Sequence, residues 1–151
     1  RLEALLASLG QAWEIGNLTF KPYPCGSIAH PYMDCALRLR ERHRPRPEEI
    51  VEVRCRTAEG PIPRLWEPLT AKHRPQNGYA AKFSLPYLLA SILVNGRATL
   101  ADFTDEAVRD ETLRGVAGVS KRMLATRAAA GRREQHVGPE LGRCYQTLCG
   151  I

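Results

Sequence analysis

The run Leu85-Pro-Tyr-Leu-Leu-Ala-Ser-Ile-Leu-Val94 constrains the fold more than any other stretch of this chain. It carries no charge, so a folded protein must bury it. Pro86 falls where a first helical turn tolerates proline, Ser84 is placed to cap that turn, and Gly96 is placed to stop the last one. The spacing predicts a helix over Ser84–Asn95 with the rest of the chain packed around it. The run falls well short of the roughly 20 apolar residues that span a bilayer. With 151 residues, the chain suits one domain with a real core.

The other elements are weaker in pattern. Leu2, Leu5, Leu6 and Leu9 share one face of a helix expected from about Leu2 to Trp13, which is not a secretory signal. A chain that starts at Arg1 inside a helix suggests a piece of something longer. Leu18-Thr19-Phe20 reads as a short extended segment, and a helix is expected from Ile28 or Pro31 to about Arg42. Ile50-Val51-Glu52-Val53-Arg54-Cys55-Arg56 alternates apolar and charged residues, as a half-buried strand does. Glu59 to Pro75 is rich in proline and reads as loop, with a short turn near Leu65-Trp66. Thr104-Asp105-Glu106 is expected to open a further helix, with acids where the helix dipole favours them.

The expected fold is therefore α/β or α+β: two or three helices packed on a small sheet that includes strands near Leu18 and Val51. Residues 1–118 form the expected domain. Residues 119–151 are Ala-, Arg- and Gly-rich without strand alternation and read as a divergent basic tail, from truncation or a reading-frame change past about Gly118. An incomplete sheet leaves an open edge, which predicts a homo-oligomer.

The net charge of +6 is concentrated in that tail. From Lys121 onward six basic side chains face two acidic ones, which leaves only +2 for residues 1–120. The body therefore lacks the footprint of a nucleic-acid binder, and the tail lacks interleaved aromatics. Five cysteines form no disulfide framework; Cys25, Cys35 and Cys55 read as small apolar residues in a reducing, cytoplasmic setting.

The stretch Phe20-Lys-Pro-Tyr-Pro-Cys-Gly-Ser-Ile-Ala-His-Pro31 carries the most chemistry. Pro22 and Pro24 stiffen the backbone on both sides of Tyr23, so Lys21 loses little freedom on binding an anion. Cys25-Gly26-Ser27 leads into a helix N-terminus, with Ser27 as its expected cap, where free N–H groups favour a carboxylate. His30, in the first turn, has its charged form disfavoured by the dipole and can serve as a base. Lys82 and Ser84 repeat the arrangement in weaker form before the apolar helix. His43, His73 and His136 read as solvated. Neither a zinc ligand set, a dinucleotide fingerprint, a P-loop nor a nucleophile elbow is visible. The expected site uses no metal and no cofactor.

Three blocks resemble the C-terminal half of the MmgE/PrpD family, which includes 2-methylcitrate dehydratases, cis-aconitate decarboxylases and iminodisuccinate epimerases. They are Leu9–Ile15 with Phe20–Gly26 and His30-Pro31; Lys82–Tyr87; and Asn95-Gly96 with Phe103–Glu106. The resemblance implies the smaller, C-terminal lid domain of a two-domain enzyme that moves a proton next to a carboxylate. Lys21 and His30 would be catalytic; Cys25, Gly26, Ser27, Lys82 and Ser84 would bind substrate, a small polycarboxylate. The larger N-terminal helical domain of that family would be the missing partner, and the chain alone is expected to be inactive. The alternative is a non-catalytic remnant or self-associating interaction domain. Which acid is bound, and whether it is dehydrated, decarboxylated or epimerised, is not encoded in these residues.

Overall fold

The computed structural model describes Leu6, residues 9–11 and residues 13–124. In chain order the elements are α1 (His30–His43), β1 (Val53–Thr57), α2 (Ile62–Leu65), α3 (Leu69–His73), α4 (Gly78–Ala81), α5 (Leu85–Asn95), α6 (Glu111–Gly118) and β2 (Ser120–Leu124), joined by several 3-10 turns. The domain is small and mixed α and β, as expected from the sequence. Among the described residues no helix is long and apolar enough to cross a membrane.

Helix α5 is the axis of the fold. Its first nine residues, Leu85 to Leu93, are all buried, so it is apolar all round rather than on one stripe. Ser84 Oγ accepts from the Tyr87 amide at 3.2 Å and caps the N-terminus. At the other end Gly96 takes φ +71°, a left-handed conformation that suits glycine. The guanidinium of Arg40 covers this end, donating to Leu93 O at 3.0 Å and Val94 O at 3.2 Å. A Cβ on residue 96 would come within 2.9 Å of that guanidinium. One cation thus satisfies two carbonyls at the negative end of the helix dipole.

Helices α1 and α6 pack on α5 from opposite ends of the sequence. Pro31 fits the first turn of α1, and Tyr32, Met33, Cys35 and Ala36 form its buried face. Arg40, Arg42 and His43 sit in its last turn, where the dipole favours cations. Trp66 is buried against β1 and its indole N–H donates to Thr57 Oγ1 at 3.0 Å.

The sheet has two parallel strands among the described residues, with Val53 opposite Ser120 and Thr57 opposite Leu124. Parallel neighbours need a long crossover, and here all of α2 to α6 supplies it. Glu52 ties the pair electrostatically, with Lys121 Nζ at 2.9 Å and Arg54 Nη2 at 2.7 Å.

Several expectations change. The extended segment at Leu18 has strand-like backbone, φ −75° and ψ 145°, but joins no ladder among the described residues. Leu18 and Phe20 are exposed there, and the prolines that follow lack the donors a ladder needs. The strand near Val51 starts later, at Val53. Pro47–Glu49 forms a 3-10 turn held by Arg46 N and Glu49 Oε2 at 2.9 Å, and pairing begins only where Val53 N reaches Val119 O. Glu59–Pro75 holds two short helices, α2 and α3. The helix expected to open at Thr104 begins at Glu111, because Asp110 Oδ1 accepts from the amides of Thr112 and Leu113. Thr104 instead supports a 3-10 turn, and Asp105 reaches across to the Gly78 amide at 2.9 Å.

Strand β2 lies past Gly118, inside the stretch read as a tail. Residues 125–151, with Cys144, Cys149 and His136, lie outside the described residues, as does most of the helix expected over Leu2–Trp13. At its C-terminal end, Leu9 to Gln11 form a turn and Glu14–Asn17 a 3-10 turn.

Candidate functional site

The loop before α1 and the loop before α5 meet at Gly26 and Lys82. The Gly26 amide donates to Lys82 O at 3.1 Å. Gly26 permits that approach: a Cβ there would lie 3.3 Å from the Phe83 ring. Phe83 is held in turn by Arg64, 4.6 Å above its ring, and by Tyr79, edge-on at 5.4 Å. Lys72 fixes the same loop from behind, donating to Phe83 O and Arg64 O at 2.7 Å each. Burial, with Arg64 nearby, lowers the Lys72 pKa from its ordinary value.

Lys72 was not visible as a site-building residue in the sequence, where it lies in a proline-rich stretch without periodicity. Its role depends on two carbonyls, one eight residues before it and one eleven after.

Around this junction the sequence-predicted residues sort into two groups. Lys21 is exposed and Lys82 is half-buried. Both ammonium groups act on the Cys25 thiol, pulling its pKa down, but burial outweighs them and pushes it up to about 11. Cys25 is therefore a neutral thiol at pH 7. Its sulfur faces the core, 3.5 Å from Met33 Sδ. Neither lysine is in a salt bridge with a carboxylate of the described residues. Lys82 Nζ lies 6.0 Å from the Phe103 ring, at the outer limit of a cation–π contact.

His30 is the first residue of α1, and its Nε2 is buried without a hydrogen-bond partner. Buried polar atoms are nearly always paired. The His30 nitrogen is the exception among the described residues.

The second group is committed to the fold. The Cys25 and Gly26 amides, expected to face an anion, donate to Tyr23 O at 2.9 Å and Lys82 O at 3.1 Å. Ser27 is exposed and makes no side-chain cap; it is the first residue of a 3-10 turn, Ser27–Ala29, that runs into α1. Ser84 is fully buried: its hydroxyl donates to Lys72 O and accepts from the Tyr87 amide. The third sequence block is also structural, with Asn95 Nδ2 donating to Asp102 Oδ1 at 2.9 Å and Asp102 Oδ2 accepting from the Thr99 amide at 2.6 Å. Of the other histidines, His43 is exposed, whereas His73 is half-buried with Nε2 3.0 Å from Ser120 O. The expectation that His73 is solvated fails because α3 packs beside the start of β2.

Tyr23 is the residue that sequence reasoning passed over. Its hydroxyl donates to Asp34 Oδ1 at 2.7 Å, and its ring stands edge-on to the His30 ring, 5.4 Å between centroids and 75° between planes. Burial, then Asp34, pushes the phenol well above the usual tyrosine range, so it stays a donor. Its setting between Pro22 and Pro24 was a usable signal, but its partner eleven residues away was not.

Fold and geometry together define a small α+β domain in which Lys21 and Lys82 both act on the Cys25 thiol and the His30 ring stands against Tyr23. The chain belongs to the MmgE/PrpD family: the MmgE/PrpD C-terminal domain model matches residues 23–121. That span runs from Tyr23, beside the lysine loop, to the start of β2. Comparison with curated proteins returned no match.

Proposed function

We propose that this domain forms one wall of the active site of a cofactor-free lyase or isomerase that acts on small polycarboxylic acids, moving a proton next to a carboxylate. The observation that carries this reading is the buried, unpartnered Nε2 of His30, five residues after Cys25, the thiol on which Lys21 and Lys82 both act. The lysines supply positive charge for substrate carboxylates. His30 supplies a nitrogen that the fold leaves without a partner and that can take or return a proton once the ring turns to meet a substrate. A helical domain on the far side would complete the site, since proton transfer needs all groups placed together. The chain alone is then a poor catalyst.

The test is deuterium exchange into citrate-like acids, followed by NMR, with the chain alone and with the family's helical domain supplied. His30→Gln should lower exchange by about 10²–10⁴-fold, and Lys21→Ala should weaken substrate binding with less effect on turnover. Exchange unchanged in His30→Gln removes the histidine from the mechanism.

A second reading, an interaction domain that keeps the fold without the chemistry, is favoured by Trp13, Ile15, Leu18 and Phe20. All are large apolar side chains at least two-thirds exposed, and Phe20 is 99% exposed. Light scattering tests this second reading: a monomer at high concentration counts against self-association through this segment.

A further inference from the structure

The imidazole of His30 has no hydrogen bond at Nε2. The torsion that turns an imidazole about its stem is broad, so something else must fix the plane of the ring. The aromatic residue against it is Tyr23, nearly perpendicular at 5.4 Å. Tyr23 is itself tied down at both ends. Pro24 restricts its backbone and Pro22 stiffens the chain just before it, and its hydroxyl is bonded to Asp34 at 2.7 Å. Asp34 lies four residues after His30 on α1, so the two share one face of the helix, a turn apart. The lysine-bearing loop is thereby fastened to the helix that carries the histidine.

We infer that Tyr23 is a positioning residue: latched by Asp34, it sets the plane of the His30 imidazole and holds the Lys21 loop in place relative to it. This rests on the reading of His30 as the proton-carrying group. Misplacement of a reacting group by about an ångström can cost a hundredfold in rate, so a loop and a helix that must act on one substrate benefit from a direct tie. A hydroxyl-to-carboxylate bond suits the task because one partner is charged.

The experiment is NMR of the full chain with labelled histidine, the His30 ring signals being assigned by their loss in His30→Gln. The native chain should show cross-peaks between the His30 and Tyr23 rings. Tyr23→Phe removes the hydroxyl and keeps the ring; Asp34→Ala removes the acceptor from an exposed position and leaves Tyr23 intact. Both should shift and weaken the His30–ring-23 cross-peaks while the His43 signals stay in place. Asp34→Asn, which retains an acceptor oxygen, should restore them. Unchanged His30 signals in Asp34→Ala overturn the inference, and this variant decides the matter if Tyr23→Phe fails to fold. None of these readings needs a substrate. An intact latch in a protein without proton exchange would overturn the catalytic proposal and leave the latch standing.

Discussion

Helix α5 and the Lys21–His30 segment, which touches the loop just ahead of that helix, follow opposite rules. In α5 the polar side chains and both ends are matched: Ser84 caps one end, Arg40 and Gly96 the other, Ser91 Oγ donates to Arg97 O, and Tyr87 donates to Asp102 O at 2.7 Å. Burial, aided by the neighbouring Asp102 and Asp110, pushes the Tyr87 phenol up to about 12, so it remains a donor. In the Lys21–His30 segment the backbone is held as well, but two polar groups are unpaired: a lysine in no salt bridge among the described residues and a buried ring nitrogen with no partner. Pairing of polar groups is nearly complete in one element and partial in the other, with the Gly26–Lys82 bond joining their two loops.

The contrast can be tested by substitutions of opposite consequence. Leu88→Ala, in the fully buried middle of α5, should cost about 2–5 kcal/mol, measured as a lower urea midpoint with unchanged slope. Ser84→Ala should cost about 0.5–2 kcal/mol through the lost cap, and should also disturb the Lys72 contact; a cost near zero would show that the cap is replaceable. His30→Leu should be neutral or stabilising by about 1 kcal/mol, because it removes a buried group that lacks its hydrogen bond. A clear loss of stability in that variant would mean the histidine serves the fold, and the contrast would collapse.

The smallest effect concerns the sheet. Bonds from Arg54 and Lys121 hold the Glu52 carboxyl down to about 2, below its ordinary 4.5. The folded-state value is depressed, so this contribution is complete above the ordinary value and disappears as the pH falls through about 2. Urea unfolding followed downward from pH 6 should show a decline over that window that Lys121→Ala reduces and high salt flattens.

The α5 helix was legible in full, since cap, proline and stop all lie within the segment and its burial follows from composition. Helix α1 was legible nearly to the residue from Pro31 and the apolar face of Tyr32, Cys35 and Ala36, although Ser27, its expected cap, makes no cap. The two helices in Glu59–Pro75 were not. Short helices carry little local signal and are held by distant groups, as Lys72 shows with its bonds to Arg64 O and Phe83 O. The strand at Leu18 failed for the complementary reason: extended backbone is a local property, but a strand needs a partner. Strand β2 was missed because its pattern, Ser-Lys-Arg-Met-Leu, becomes a strand only beside β1.

For the site, the sequence alone determined the residue types and their stiffness: Lys21 next to two prolines, and His30 at the start of a helix. Those follow from backbone restrictions that act within a few residues. Tertiary structure decided which groups remain open. It committed the Cys25 and Gly26 amides and the Ser84 hydroxyl to the fold, brought Lys82 to the same junction, and latched Tyr23 to Asp34. Whether a polar group is free depends on what lies across space from it, and local sequence does not fix that.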